Sequence, residues 1–536
     1  MRKRAHVALI IALGICLLLP AAFVVAGGKG EQAGQEPAEM KAETKAEQPA
    51  GPVRGGSLIM GVTGKMSSLD PVKGNAFLWE GNVILAIYDR LLRIDKDGNY
   101  VPELATSWKI SDDKMKITFQ LRKGVVFHDG TPFDAEAARF NLSRLMDRQD
   151  ATQVYSWFTD MSAVEVVDSQ TVRITMKQPN AEILTLLTSK AGFMVSPTAL
   201  KKYGDEFTRH PTGTGPFKFV EEVPGDHVKL ARNENYWQKG ADRKPLPYLD
   251  ELTVRIIPDD SVRVVQLQTG NIHLMQAVPT ESMEAVKKDA RFRIGPTPQA
   301  NVYRMYMNFK RNPFTDLLIR QAINYAFDRK QMADVLVPGQ GFVPPFYIPM
   351  NDPYYSDYTP YGYDPTKAKA LLAQAGYPNG FDTSMIVISR EPDLTIGPVV
   401  QSYLEAIGIR TKINVLERLT AVDKAVALNY DLYLAMSGGL PPSFQVFFNN
   451  FWHSKGPTNR EGYANPAFDA LYDKLTQTFD PQERKKLYAA MQKLVLDDGE
   501  TVLFGRAVYQ AEVKALGGYN YEAEGALRLT EAWMGK

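Results

Sequence analysis

The sequence predicts a mixed α/β protein with two or more domains. Short segments alternate apolar and polar residues with the period of a strand. Longer segments, most of them later in the chain, carry helix-capping residues and apolar residues at helical spacing. At 536 residues the chain is also too long for one ordinary core.

The strand signals begin in the first half of the chain. They are "KITFQLRKG" at 116–124, "TVRITMK" at 171–177 and "LTVRIIPD" at 252–259. In each segment every second residue is apolar, so one face of the strand is expected to be buried.

The helix signals combine caps with periodicity. "DPTKAKALLAQAG" has Asp364 as N-cap and Gly376 as the C-terminal stop. "NPAFDALYDKLTQTF" begins in the same way at Asn465, and "DPQERKKLYAAMQKLV" has Glu483 three residues after Asp480, as in a capping box. "TDLLIRQAINYAFDR" at 315–329 carries apolar residues at helical spacing.

Residues 1–26 are predicted to be a secretory signal peptide. The segment has a basic start, an apolar run and a small-residue exit at Ala26, after which we expect cleavage. The apolar run is also long enough to stay as a membrane anchor. A third alternative is a lipid anchor on Cys16, the only cysteine, because "LGIC" resembles a lipobox in which Ile15 replaces the usual small residue.

Residues 27–52 are predicted to form a flexible tether. The segment has no aromatic residue and few large aliphatic ones. It therefore cannot bury enough apolar surface to offset the entropy lost on ordering. A tether between a signal segment and a folded body suggests a protein that works just outside a membrane.

Composition and motifs exclude several classes of function. The formal net charge is only +1, so we expect no nucleic-acid partner. The chain has no phosphate loop, no G-x-S-x-G elbow and no H-E-x-x-H pair. "TGTGPF" at 212–217 is interpreted as a tight turn, and the histidines show no pair at metal-ligand spacing.

One segment looks catalytic. "VFHDGTPFDAEAARFN" places His128 beside Asp129, with Asp134 and Glu136 just behind. An enzyme could use such a trio as a base, its orienter and a metal ligand. The alternative is a strand that ends in a turn at Asp129, followed by a helix that Asp134 caps from Ala135 onwards.

Several blocks occur in an order typical of one family. They include "VPELATSW", "TFQLRKGVVFHDGTPFDAEAARFNLSR", "GTGPFKF", "RNENYW", "PFTDLLIRQAINYAFDR", "KALLAQAGYPNGF", "GYANPAFDALYDKL" and "DPQERKKLY". From about Gly55 to near its C-terminus, the chain resembles the extracytoplasmic solute-binding proteins of peptide/nickel-type ABC importers. This family includes dipeptide- and oligopeptide-binding proteins. The resemblance favours the turn interpretation of the His128 segment.

The resemblance implies two α/β lobes that close on a solute about a hinge. The first lobe would take residues 53–299 together with 502–536, and would carry an extra subdomain at about 84–215. The second lobe would take residues 300–501. Ligand that contacts both lobes would stabilise the closed form, which the membrane permease would then recognise.

The resemblance also suggests which residues contact the solute. Arg390 in "VISREPD" matches an arginine that holds a peptide carboxylate, a role that suits guanidinium geometry. Relatives that grip a peptide amine use an aspartate where Pro441 stands here, in "SGGLPPSFQVFF". This difference leaves longer or modified peptides, opine-like acids and oligosaccharides open as ligands. Nearby Ser443 and Gln445 offer neutral hydrogen bonds.

Aromatic residues complete the expected pocket. The candidates are Phe77, Trp79, Tyr303, Tyr306 and Trp452, each with core packing as its alternative role. A nickel complex is a further option that would use His453, although no protein-bound metal or cofactor is expected.

The sequence therefore predicts a monomeric, extracytoplasmic solute-binding protein without enzymatic activity. It would deliver a peptide or peptide-like solute to an ABC permease. The alternative of another class is a secreted hydrolase built on the carboxylates near His128. A role in solute sensing is compatible with the first hypothesis.

Overall fold

The computed structural model describes residues 51–535, apart from 65, 75–78, 96, 153, 349–351, 353, 439–442 and 523–524. The predicted signal peptide, nearly all of the tether, Phe77 and Pro441 lie outside the described residues. Cys16 does as well, so the three hypotheses for the N-terminus stay predictions.

The described part of the chain contains 21 strands. In chain order they are β1 (Ser57–Val62), β2 (Leu92–Ile94), β3 (Tyr100–Pro102), β4 (Ala105–Ile110), β5 (Lys116–Leu121), β6 (Met161–Asp168), β7 (Thr171–Met176), β8 (Phe217–Val223), β9 (His227–Arg232), β10 (Glu251–Ile256), β11 (Leu274–Met275), β12 (Phe292–Met307), β13 (Gly341–Phe342), β14 (Phe381–Ile388), β15 (Ile409–Leu416), β16 (Leu432–Gly438), β17 (Val502–Val513), β18 (Leu516–Gly517), β19 (Asn520–Tyr521), β20 (Leu527–Arg528) and β21 (Trp533–Met534).

Helices lie between these strands and dominate the region after residue 315. They are α1 (Trp79–Ile87), α2 (Ala135–Arg144), α3 (Ile183–Leu187), α4 (Pro197–Tyr203), α5 (Asp260–Gln268), α6 (Met283–Lys288), α7 (Leu317–Tyr325), α8 (Arg329–Leu336), α9 (Pro365–Gln374), α10 (Asp393–Ala406), α11 (Arg418–Val426), α12 (Phe444–Trp452), α13 (Pro466–Gln477) and α14 (Pro481–Asp497).

One large sheet organises the fold. Its strand order is β15-β14-β16-β12-β17-β11-β1-β10-β9-β8, with β13 also paired to β17. At one end β14 runs parallel to β15 and β16, and at the other β1 runs parallel to β10 and β11. The long antiparallel pair β12 and β17 joins the two ends, with an irregularity between Pro296 and Ala300. The mixed α/β fold class is therefore confirmed.

A separate four-stranded antiparallel sheet, in the order β4-β5-β7-β6, lies within residues 105–176. Its buried side chains include Ile117, Phe119, Val172 and Ile174, as the period-two patterns predict. These residues share one core cluster with α2 and α3. Val446 from α12, which is distant in sequence, packs in the same cluster.

The predicted helix caps are largely confirmed. Asp364, Asn465 and Asp480 accept hydrogen bonds from the first turns of α9, α13 and α14. The capping box is only half formed, because Glu483 donates its N–H to Asp480 while its carboxylate pairs with Lys474. No helix in the described part of the chain is long and apolar enough to cross a membrane.

Candidate functional site

The topology of the large sheet brings two sets of strand ends together. Asn301 at the middle of β12 lies opposite Gly438 at the end of β16, and Arg506 of β17 pairs with Asn301. From the other side, Met275 at the end of β11 lies opposite Ala511 of β17. The carboxyl ends of β1 and β11 therefore face those of β14 and β16 across the middle of the long strands. Such a meeting of strand ends is where α/β proteins place ligands.

Arg390 lies at this edge, two residues after β14 and just before α10. Its side chain is 36% exposed, and its Nε donates to Oδ2 of Asp393 at 2.5 Å. The Asp393 carboxylate is fully buried, and burial raises its pKa although Arg390 opposes the shift. Among the described residues no hydrogen bond is made by the outer guanidinium nitrogens of Arg390. A guanidinium can grip a carboxylate with two parallel hydrogen bonds from such nitrogens.

Tyr303 of β12 lies within electrostatic range of this pair. The ring is fully buried and stacks on Phe504 with a centroid distance of 4.8 Å. Its hydroxyl has no hydrogen-bond partner among the residues that the structure describes. Burial raises the pKa of Tyr303 to about 12, and the charges of Arg506, Asp393 and Arg390 act on the same hydroxyl. A buried hydroxyl without a partner is costly, so the site favours a further polar group here.

Arg506 adds positive charge to the site. Its Nε donates to Oε1 of Gln340 at 2.7 Å, and Gln340 also accepts a hydrogen bond from Thr280. Within the described residues no carboxylate forms an ion pair with Arg506. We call Arg390, Asp393, Tyr303 and Arg506 the Arg390 site. It carries three charged groups with a formal sum of +1, and such a charge favours an anionic partner.

Tyr306 lies on the opposite face of β12. It is 2% exposed and stacks on Tyr433, with a centroid distance of 5.6 Å and an interplanar angle of 12°. The guanidinium of Arg304 lies 3.8 Å from the Tyr306 ring centroid. Burial raises the pKa of Tyr433, on which Arg390 and Asp393 also act. Tyr306 thus stacks on a residue, Tyr433, that lies within range of the charges of Arg390 and Asp393.

Trp79 begins α1 on the other side of the strand ends. Its ring is partly buried against the core that contains β1. The indole packs on the loop after β1, where a Cβ at Gly64 would lie only 3.0 Å from Trp79 Nε1. The structure therefore places Trp79 beside the carboxyl end of β1. Phe77 lies outside the described residues.

Ser443, Gln445 and Trp452 belong to α12 and form a second group. Ser443 caps the helix by accepting from the N–H of Gln445 at 3.0 Å. Oε1 of Gln445 accepts from Arg484 at 3.3 Å. Trp452 is fully buried and donates its indole N–H to Glu500 at 3.3 Å. The structure thus places these side chains around Arg484 and Glu500, and their predicted ligand contacts stay predictions.

Glu500 belongs to a buried charge cluster. Arg304 pairs with Glu500 at 2.6 Å and with Glu461 at 3.1 Å, and all three side chains are at most 1% exposed. Burial, followed by repulsion from Glu500, raises the pKa of Glu461 well above its usual range. Two carboxylates facing one guanidinium inside the core thus disfavour the charged form of Glu461.

The His128 segment forms a turn and a helix start. Nε2 of His128 hydrogen-bonds the carbonyl of Gly215 at 3.0 Å, and burial lowers the pKa of His128 to about 4. Asp129 accepts from Ser196 at 2.6 Å instead. Asp134 caps α2, which begins at Ala135 as predicted. The segment therefore holds two backbone turns together and does not form a catalytic trio.

Nε2 of His453 lies 3.8 Å from Oδ1 of Asp469. Among the described residues no group of three or more histidine, cysteine, aspartate or glutamate side chains could hold a metal ion.

A cavity of about 610 Å³ has none of the four residues of the Arg390 site in its lining. It is lined by residues of α8, β13 and the segment 359–363, with Arg329 on its wall. Arg329 is held by the carbonyls of Val502 and Asn324, so the helix packing accounts for its position. The Arg390 site is the one that the strand ends define.

Asp393, Arg506 and Tyr433 were not identified from the sequence. The spacing of Asp393 from Arg390 is that of a pair on one helical turn, and this signal could have suggested it. Arg506 and Tyr433 come from other strands, and only the sheet order brings them near.

Comparison with known proteins gives the family. The family model described as "Bacterial extracellular solute-binding proteins, family 5 Middle" matches residues 99–459. The glutathione-binding protein GsiB of Shigella flexneri is 31% identical over 481 residues, which cover 86% of this chain and 91% of GsiB.

Solved structures share the fold. The periplasmic binding protein DppA from Helicobacter pylori, in complex with peptide STSA, is 28% identical with a TM-score of 0.76, covering 90% of this chain and 99% of DppA. AgaA from A. tumefacien R10, in complex with agropinic acid, is 27% identical with a TM-score of 0.75, covering 89% of this chain and 99% of AgaA. With the family match and the GsiB relationship, these likenesses lead to one conclusion: the chain belongs to the bacterial extracellular solute-binding proteins of family 5.

Proposed function

We propose that the protein captures a peptide or peptide-like solute with a free carboxylate and delivers it to the permease of an ABC importer. The observation that carries this proposal is the half-exposed Arg390 guanidinium, held by the buried Asp393 at the meeting of the strand ends. A preoriented guanidinium loses little entropy when it grips a carboxylate.

The lobes of the clamp would be residues 53–299 with 502–536, and residues 300–501, with a subdomain at about 84–215 in the first. The sheet supports this division, because β12 and β17 are the strands that pass between its two ends. The irregularity between Pro296 and Ala300 would lie at the hinge. Closure would bring Trp79 and the loop after β1 against a solute held by Arg390.

An opine-like acid is a second candidate solute. Arg506 lacks a carboxylate partner within the described residues, so the site favours a ligand with more than one acidic group. AgaA, a related structure, holds agropinic acid. GsiB is named for binding glutathione, which carries two carboxylates. Glutathione is therefore a peptide-like solute and also one with more than one acidic group.

Signal peptidase would release the folded body outside the cytoplasmic membrane. If a membrane or lipid anchor stays instead, the tether would separate the folded body from the membrane surface. The protein would act as a monomer that meets its permease in the solute-bound form. We expect binding without turnover.

The test compares Arg390→Met with Arg410→Met by calorimetry, using glutathione and the tetrapeptide Ser-Thr-Ser-Ala. Arg410 is a matched control because it also pairs with an aspartate, Asp382, but is 58% exposed at the opposite edge of the sheet. We expect Arg390→Met to weaken binding at least about tenfold, the usual worth of a charge-assisted hydrogen bond. Equal affinities for the two variants would contradict the proposal.

A further inference from the structure

A second set of contacts joins the two proposed lobes, well away from β12 and β17. The backbone N–H of Ala181, in the proposed subdomain, donates to the carbonyl of Thr476 at 2.8 Å. The next residue, Glu182, forms an ion pair with Arg484 of α14. These partners are about 300 residues apart in sequence, so only the tertiary arrangement brings them together. We call Ala181, Glu182, Thr476 and Arg484 the latch.

Arg484 is hydrogen-bonded to residues of the second proposed lobe as well as to Glu182 of the first. Its Nη1 donates to the carbonyls of Thr478 at 3.0 Å and Leu475 at 3.2 Å. Its Nη2 then faces Glu182 and Oε1 of Gln445. The guanidinium is therefore fixed by its own helix pair, with one nitrogen presented to the partner carboxylate.

The latch is buried. The side chains of Glu182 and Arg484 are 6% and 5% exposed. Around them, Val446 of α12 packs into the core cluster of the four-stranded sheet, and the ammonium of Lys114 lies 5.6 Å from the ring centroid of Phe479. Ionic, backbone and apolar contacts thus all cross the same boundary.

We propose that the latch determines solute affinity by stabilising the closed conformation, without contacting the solute. This inference rests on the two-lobed function proposed above. A hinge at the middle of β12 and β17 would separate residues 180–182 from α13 and α14 when the clamp opens, so the latch contacts would exist only in the closed form. A contact made in one state alone shifts the equilibrium towards that state. The apparent affinity then rises with the closed fraction.

The chemistry of the latch gives the expected size of the effect. The pair is neutral as a whole, so closure buries no net charge. Replacing Glu182 with glutamine keeps the shape but leaves Arg484 buried without its counter-charge in the closed form, which is unfavourable. In the open form both groups would be hydrated, so the variant loses only closed-state stability. We expect the ratio of closed to open molecules to fall about tenfold.

The test measures the distance across the latch in the protein without solute. Cysteines replace the exposed Asp112 and Lys485, and nitroxide labels on them are measured by double electron–electron resonance. Labelling is clean because the only native cysteine, Cys16, falls in the predicted signal peptide. We expect the wild-type background to show a population with a short distance between the labels. In Glu182→Gln the ratio of this population to the long-distance population should fall about tenfold. Glu483→Gln is the matched control, since Glu483 pairs with Lys474 within the second lobe only.

Three results with the wild type and these two variants would overturn the inference. They are a single long distance in the wild-type background, an unchanged distribution in Glu182→Gln, or an equal change in Glu483→Gln. Arg484→Gln provides a second variant, and the double variant completes a cycle in which the two single effects should not add. Because Arg484 also holds Leu475 and Thr478, additive effects would assign it a purely structural role and overturn the latch.

The same samples separate this inference from the proposed function. Glutathione titrated into the wild type should bind and shift all molecules to the short distance, and the affinity of Glu182→Gln should fall in proportion to its closed fraction. An affinity that stays unchanged while the distances shift overturns the link between latch and affinity. If neither glutathione nor Ser-Thr-Ser-Ala binds while Glu182→Gln still shifts the distances, the proposed solute class fails, and the role of the latch in stabilising the closed form is supported on its own.

Discussion

The guanidinium of Arg390 and the carboxylate of Asp393 form a half-buried pair, with Nε and Oδ2 2.5 Å apart and the aspartate fully enclosed. The aspartate fixes one edge of the guanidinium and leaves the other edge at the surface where the strand ends meet. The pair therefore links the packing of α10 to the proposed recognition of a solute carboxylate. Replacing Asp393 tests this link more specifically than replacing Arg390.

We predict that Asp393→Asn weakens binding of Ser-Thr-Ser-Ala about tenfold, because Arg390 loses the charge that orients it. Calorimetry measures the affinity. Asp382→Asn is the control, since Asp382 pairs with Arg410 in a mostly exposed position and its loss should leave affinity unchanged. An Asp393→Asn variant that binds as tightly as the wild type would show that Arg390 needs no partner.

Tyr303→Phe separates stability from recognition. The Tyr303 hydroxyl is buried without a partner among the described residues, so its removal should leave the free energy of unfolding unchanged or raise it by about 1 kcal/mol. If the hydroxyl bonds the solute, as its place in the Arg390 site leads us to propose, affinity for the peptide should fall. Urea unfolding and calorimetry give the two quantities.

Tyr463→Phe provides the contrast for Tyr303→Phe. The Tyr463 hydroxyl donates to Asp498 at 2.8 Å, so the variant should lose about 1 kcal/mol of stability and keep its affinity. If both variants lose stability equally, the Tyr303 hydroxyl is already satisfied within the protein and is not reserved for a solute.

His128 gives a prediction about pH. Burial lowers the pKa of His128 from 6.5 to about 4, so between these values the unfolded chain binds a proton that the folded protein does not. Stability from this residue is complete above pH 6.5 and is lost as the pH falls towards 4. We expect the wild type to lose up to about 3 kcal/mol relative to His128→Gln across this range.

Urea unfolding of both proteins at pH 7 and pH 4.5 measures this difference. Parallel changes in the two proteins would contradict the assignment. His128→Gln should also keep its solute affinity at pH 7, whereas the hydrolase hypothesis requires the loss of a specific activity.

Local patterns in the sequence predicted local structure well. The alternation around Phe119 predicted a half-buried strand, and Asp364 and Asn465 predicted helix starts, because these features depend on neighbours within a few residues. The strand order of the large sheet could not be predicted in this way. The pairing of Asn301 with both Gly438 and Arg506 joins distant segments, and no local pattern encodes it.

The candidate site shows the same limit. Arg390 was found through resemblance and Asp393 lies within one helical turn of it, but Arg506 is 116 residues away on another strand. Trp452 was a pocket candidate with core packing as its alternative role. The structure places it beside Glu500 and against the ring of Tyr347, with 5.6 Å between centroids, and its contact with a solute stays a prediction. The ion pair of Glu182 and Arg484 spans 302 residues and has no sequence signal.

Native mass spectrometry of the purified protein tests most directly whether the protein binds a solute through a carboxylate of that solute. The spectrum would be recorded before and after unfolding and refolding, and any released compound would be identified. We predict an additional mass that disappears on refolding and belongs to a peptide or peptide-like acid. A released compound without a carboxylate, such as a neutral oligosaccharide, would contradict the role given to Arg390.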